Sequence, residues 1–344
     1  MARTTPPRPV DIASVFPELA PLARQAVRLH PRPGEPTVHE SSVGGPLLWP
    51  ADEEWPVCTK EHHHWDLPVS LDDVRQRRAL LEAAWLRPRA PRENLLTPDQ
   101  QACLDRLQAG HQPHTGSNAL LPVAQLYLRD VPGLSGPAGA DLLQVLWCPL
   151  HHDDGIPAAH LVWRDSGRVD QVLSDPPEPV DVEHYGHYVP EPCVLHPEVV
   201  TEYPAPHELP EELAERLVEW GRQAWTEDDP EEEWSPGGAY YQYEHAVSPG
   251  WKVGGWGPWS FCDPWPMHCE ICYAAYRPLL TVSSGEWDGG SGSWIPLEDR
   301  EAPAGPIGLR KPSDPPMVLI GRGYTMQIYV CPTSFDHPHL ENMQ

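Results

Sequence analysis

Two stretches 210 residues apart carry the same pattern, and this repeat constrains the fold more than any other feature of the chain. VGGPLLWPADEEWP begins at Val43 and VGGWGPWSFCDPWP at Val253, an offset of 210 (253 − 43). Laid together without a gap, they match Gly44 with Gly254, Gly45 with Gly255, Trp49 with Trp259, Trp55 with Trp265 and Pro56 with Pro266. Tryptophan is rare enough that two such matches in one ungapped window indicate a duplicated domain.

A second pair of segments agrees. QVLWCP at 144–149 and QIYVCP at 327–332 share Gln144/Gln327, Cys148/Cys331 and Pro149/Pro332. Each half therefore opens on V-G-G with tryptophans and a cysteine, and closes on an apolar run ending in Cys-Pro. With LPVAQLY at 121–127, these segments resemble the YwqG-like bacterial proteins, which are distantly similar to the eukaryotic programmed-cell-death-protein-2-like proteins. The resemblance covers both halves loosely and bears little on 166–250. It implies a duplicated domain. It also implies protein handling: the eukaryotic relatives look like handling factors for a newly made ribosomal protein, and bacterial relatives look toxin-neutralising.

A chain of 344 residues can bury one large core or two ordinary ones. No run approaches eighteen apolar residues, so no membrane span is expected. MARTTPPRPVDIASVF lacks the apolar region of a signal peptide, which predicts a cytoplasmic protein. Its eight cysteines are then thiols or metal ligands rather than a disulfide framework. The formal charge of −26 opposes binding to nucleic acid or anionic lipid. The densest basic segment, RQRRALLEAAWLRPRAPR at 75–92, is interleaved with apolar residues and fits an exposed helix face. Forty-five prolines interrupt helices and long strands, so short elements and ordered loops are expected, with many of the fifteen tryptophans wedged beneath the loops.

Four segments follow. Residues 1–40 form a Pro-rich arm, and VFPELAPLARQAVRLHP within it has the spacing of one short helix. Residues 41–165 are the first half. It contains a helix capped by Ser70, with Leu71, Val74, Leu81 and Trp85 along one side. A second helix there is capped by Thr97 and carries Cys103 as a packing thiol. LLPVAQLYLRDVP, DLLQVLWCPL and HLVWRD have strand character. Residues 166–239 are an extended connector crossing the first half, with Cys193 packed, then the amphipathic helix ELPEELAERLVEWGRQAW and an acidic, solvated TEDDPEEEW. Residues 240–344 are the second half, with a Gly-rich excursion at 287–306 and two short strands around Gly321-Arg322-Gly323. Helices and strands mix without βαβ alternation. The expected class is α+β, with duplicated, largely antiparallel sheet halves and a few peripheral helices.

Cys269-Glu270-Ile271-Cys272 is a C-x-x-C, a spacing that lets two thiolates reach one tetrahedral zinc. A redox dithiol is the alternative, although the flanks lack its strand-to-helix context. If Cys331 returns beside this turn it is a third ligand, with His337 or His339 as the fourth and Cys262 and His268 as substitutes. That set would be a closed structural site, and unmetallated cysteines are the competing reading. In the first half Cys58 precedes His62, His63 and His64, and Cys148 precedes His151 and His152. Cys58, His62, Cys148 and His151 are the candidate ligands there, and a plain polar loop KEHHHWD is the competing reading.

Two functions compete. An acidic chain with surface tryptophans suits a stoichiometric protein-binding module, chaperone-like or toxin-neutralising, for a basic protein or peptide. A zinc-dependent hydrolase would instead hold the first-half metal open, with Asp153 or Asp154 as general base. There is no G-x-S-x-G, H-E-x-x-H, Walker loop or dinucleotide fingerprint to support catalysis.

Overall fold

The computed structural model describes residues 2–90, 92–152, 155–225, 237–300 and 309–344. The chain runs through α1 (Ile12–Val15), a 3-10 turn (Pro17–Leu22), β1 (Arg24–Arg28), β2 (Arg32–Pro33), β3 (Ser42–Val43) and β4 (Val57–Cys58). Then come α2 (Leu71–Leu86), α3 (Pro98–Leu107), β5 (Asn118–Ala119), β6 (Leu121–Tyr127), β7 (Leu142–Trp147) and β8 (Ala159–Arg164). The remainder is β9 (Cys193–Val194), β10 (Glu198–Glu202), α4 (Glu211–Trp225), α5 (Gly237–Tyr241), β11 (Lys252–Gly254), β12 (Arg277–Ser283), β13 (Thr325–Val330) and β14 (Leu340–Met343). The fold is α+β, as expected. No helix among the described residues is long and apolar enough to cross a membrane.

Two six-stranded antiparallel sheets hold the molecule together, in the orders β2-β9-β3-β6-β7-β8 and β10-β1-β11-β12-β13-β14. They are built alike. β6 and β12 each carry a proline at the second position, Pro122 and Pro278, and each shifts register just after it, at Val123 and Leu279. A bulge accommodates the missing N–H that would otherwise break a central strand.

The first strand of each unit is exchanged. β1 leaves the N-terminal region to pair with β11, and β9 pairs with β3. The cross-pairs correspond at one offset: Pro33↔Cys193 in one sheet matches Val199↔Val27 in the other, 166 residues apart (199 − 33 and 193 − 27). Residues of the expected arm and connector are therefore built into both sheets, and one hydrophobic core runs through them, from Val43 and Trp147 to Trp251, Val253 and Ile328.

The helices largely follow their signals. Ser70 and Thr97 both close capping boxes on α2 and α3. Leu71 and Val74 are buried, but Arg77 rather than Trp85 fills the inner face of α2, donating to the Tyr185 and His184 carbonyls. Cys103 is only half-buried, because α3 lies over the surface with no buried residue, whereas Cys193 is packed in β9. AVRL is strand, not helix. Pro17 and Pro21 confine the helical turns to 12–22, and β1 then satisfies its backbone between β10 and β11. Around Gly321-Arg322-Gly323 only β13 forms, with Ile320 making an isolated bridge to Tyr324. In the Gly-rich excursion, 287–300 is tied down: Trp294 is buried under Arg8, and Asp299 pairs with Arg3. Residues 301–306 of that excursion and all of TEDDPEEEW lie outside the described residues.

The V-G-G turn explains its own sequence. Gly44 has φ +65°, and a Cβ there would sit 2.7 Å from the Glu191 oxygen and 2.9 Å from the Pro190 oxygen, both backbone atoms of the segment leading into β9. Gly44→Ala is expected to lower the unfolding free energy by ~2–4 kcal/mol in urea denaturation. Gly133→Ala has a similar φ of +80° but open space, and should cost only about 1 kcal/mol. Equal losses would remove the close-approach argument.

Candidate functional site

Each unit brings one Cys/His quartet together at the same place in its fold. In the second unit the quartet is Cys269, Cys272, Cys331 and His337, the set named from the sequence. Cys331 follows the last residue of β13, and the turn 269–272 lies beside it before β12. Cys272 Sγ is 3.4 Å from Cys331 Sγ, and His337 Nδ1 is 3.4 Å from Cys269 Sγ and 3.3 Å from Cys331 Sγ. The three substitutes lie elsewhere. Cys262 is exposed and takes the Gln344 amide, His268 is outside the quartet, and His339 faces the Ala159 carbonyl at 3.2 Å.

In the first unit the quartet is Cys58, His62, Cys148 and His152. His62 Nε2 is 3.4 Å from both Cys58 and Cys148 sulfurs, and His152 Nε2 is 3.8 Å from Cys58. The sequence expectation of His151 needs correction. His151 pairs its backbone with His63, and successive side chains of that extended stretch point to opposite sides. Its ring therefore turns outward onto Trp65, and its Nδ1 lies 3.0 Å from the Tyr188 hydroxyl. A signal in the sequence does pick the right histidine: Cys58 to His62 and Cys148 to His152 are both C-x3-H.

These distances test whether an ion fits. Sulfur at about 2.3 Å and imidazole nitrogen at ~2.0–2.1 Å from a tetrahedral centre lie roughly 3.3–3.8 Å from each other. The contacts given above, 3.3–3.8 Å, match that spacing, and all donors within each set lie inside 4.8 Å of one another. A disulfide would need about 2.05 Å. Both quartets can hold a metal ion.

The surrounding backbone favours thiolate. Each of the five cysteines faces the amide two residues on: Lys60 for Cys58, Leu150 for Cys148, Ile271 for Cys269, Ala274 for Cys272 and Thr333 for Cys331. Burial alone would push Cys331 up, but the Thr333 and Ser334 amides, with Cys272 and His337, bring it down to about 6. In the first unit Cys58 is held well below the usual thiol range, chiefly by a hydrogen bond from Cys148, which is itself pushed up. Cys193 is the contrast. It has no such amides, and burial raises it to about 12, as for an inert packing thiol.

Beside the first quartet lies a cavity of about 590 Å³ in the seam between the units. Trp65, Tyr185 and Tyr188 line it from the first unit, and Phe261, Arg322 and Tyr324 from the second. Glu183 lies in its wall and is 5 % exposed. Its oxygens accept the Tyr185 and His187 amides. Burial holds His64, His151 and His187 below the ordinary imidazole range, so those rings are neutral near pH 7. Sequence reasoning missed this cavity. E-H-Y-G-H-Y at 183–188 was the available signal, hidden within a stretch that reads as connector. Asp153 and Asp154, the expected general bases, lie outside the described residues.

The duplicated tryptophans have partly diverged. Trp49 and Trp259 are both buried, whereas Trp55 is buried with its indole on the Leu120 carbonyl and Trp265 is 44 % exposed. No protein-family model matches the chain, and no curated protein matches it.

Proposed function

We propose that this chain is a stoichiometric protein-binding module for a basic protein or peptide, acting in the cytoplasm, with two structural zinc centres that fix the turns around its binding surface. The carrying observation is the 590 Å³ cavity in the seam, rimmed by exposed aromatic rings on a chain of net charge −26. Exposed rings gain free energy when a partner covers them, and acidic surroundings select a basic one. The resemblance to YwqG-like proteins, with their chaperone-like or toxin-neutralising relatives, supports the same reading.

Zinc is the ion that suits thiolate–imidazole quartets of this spacing. Four protein donors fill a tetrahedral centre and leave no position for a reacting water. That speaks against a zinc-dependent hydrolase at the first quartet.

The test uses the immobilised full chain in cell extract, followed by titration of the enriched protein in purified form. A 1:1 complex that persists at ~0.15 M salt and weakens as salt rises is expected. Multiple turnovers of any small substrate, or no saturable complex at that salt, would overturn the reading.

A further inference from the structure

We propose that the seam cavity is a recognition pocket for an arginine side chain of the partner, taken between Trp65 and Tyr185 with Glu183 and Asp66 as its counter-charges. This rests on the binding reading above and names the group that is bound.

The first observation is that Trp65 is exposed yet held. Its side chain is 70 % accessible, the highest value for a tryptophan among the described residues. Its ring nonetheless packs against His151 at 4.3 Å between centroids, the planes tilted by 35°. Its edge also occupies the space beside Gly155, where a Cβ would come within 2.6 Å of the indole. Tyr185, 48 % exposed, is braced in the same way: its ring stacks on His187 at 5.2 Å with planes 18° apart and meets His184 edge-on at 4.7 Å. Rings that merely stray into solvent are not braced by their neighbours. Bracing removes rotamer freedom before a ligand arrives, which lowers the entropy lost on binding.

The second observation is charge. Glu183 is nineteen-twentieths buried and anchored by two backbone amides, so it is a fixed carboxylate in the wall. Asp66 adds a second, and Arg322, from the second unit, is the one arginine or lysine lining the cavity among the described residues. A cation over an aromatic face, with a carboxylate in reach, is held by quadrupole and charge together.

The third observation is the protein's own habit. Arg8 lies 3.5 Å over Trp294, Arg24 3.3 Å over Trp256, Arg164 4.3 Å over Trp49 and Arg129 3.8 Å over Tyr127. Among the described residues no arginine covers Trp65 or Tyr185. The geometry that the chain supplies internally at these and other rings is left for an outside guanidinium at Trp65 and Tyr185.

The experiment uses the full chain and an uncharged-terminus hexapeptide containing one arginine among alanine and glutamine, against the same peptide with citrulline. Citrulline keeps the shape and removes the charge. Titration is followed by proton NMR of the peptide at ~0.15 M salt, where general attraction to an acidic chain is screened. The arginine δ-methylene resonance is expected to move upfield, as for protons over an indole ring, with saturation at one equivalent. The citrulline peptide should bind at least roughly tenfold more weakly. Trp65→Ala should abolish the upfield shift and weaken binding roughly tenfold or more. Trp85→Ala, on the outer side of α2, should change nothing. Equal binding of the two peptides, an unchanged shift in Trp65→Ala, or an equal loss in Trp85→Ala would overturn the pocket. If a protein complex forms but Trp65→Ala leaves its affinity intact, the pocket assignment fails while the binding function stands.

Discussion

Isolated under reducing conditions, the full chain is expected to carry two equivalents of zinc. Cys148→Ala and Cys331→Ala are each expected to remove one. The two cysteines hold corresponding places, each directly after the penultimate strand of its sheet and before a proline. Removing either leaves three donors around a centre that the fold has already gathered. In the metal-free state Cys58 and Cys148 must share protons and hydrogen bonds in a dry interior, since their residues are 8 % and 0 % exposed. Binding energy of such a centre is folding energy, because the unfolded chain offers no comparable site. A loss of ~5 kcal/mol or more is the expected scale, seen as a melting temperature lower by ~10 °C or more. A chelator should strip the second centre first, because Cys272 and His337 are partly accessible while three of the first four ligands are buried. Metal content well below one equivalent in the reduced protein, or unchanged melting in both variants, would sink the assignment.

Much of the second centre was legible, and much of the first was not, for a physical reason. C-x-x-C is a local spacing that works within one turn, so sequence alone exposes it. The first centre joins two C-x3-H pairs from elements ninety residues apart (148 − 58), and a run of three histidines obscured which one faces inward. Likewise β6, β7 and β12 announce themselves by apolar runs. β1 does not, because its strand character comes from partners in the other unit rather than from its own pattern. The exchange does leave one trace. Leu29-His30-Pro31 and Leu195-His196-Pro197 repeat at the offset of 166 (195 − 29) that the sheet pairings show. The cavity was illegible because its walls come from both units, and no single segment displays its aromatic and acidic residues together.

Replacing Glu202 is expected to cost more than replacing its partner Lys252, and the asymmetry tests how the second V-G-G turn is held. Lys252 is 1 % exposed and Glu202 fully buried, with Nζ 2.6 Å from Oε1. Lys252 also donates to the Trp256 carbonyl at 3.0 Å. Glu202 does more. From the end of β10 it accepts the Ser248 amide at 2.9 Å, the Ser248 hydroxyl and the Trp256 amide at 2.8 Å, so one carboxylate ties both flanks of β11. Glu202→Ala strands a buried ammonium and two backbone amides together, a loss of ~3–5 kcal/mol. Lys252→Met leaves the carboxylate with its other three donors and should cost about 1–3 kcal/mol. Burial already lowers the Lys252 pKa, and removing the Glu202 charge that opposes this deepens the depression. The unfolded chain, with lysine near 10.4, then binds more protons than the folded one, so stability of Glu202→Ala must rise as pH climbs toward that value. The double variant Glu202→Ala/Lys252→Met should recover part of the single loss, since no charge remains buried alone. Urea denaturation at pH 7 and pH 9 measures all three. A Glu202→Ala loss independent of pH, or additive losses in the double variant, would mean that the pair is not the strut that positions the turn.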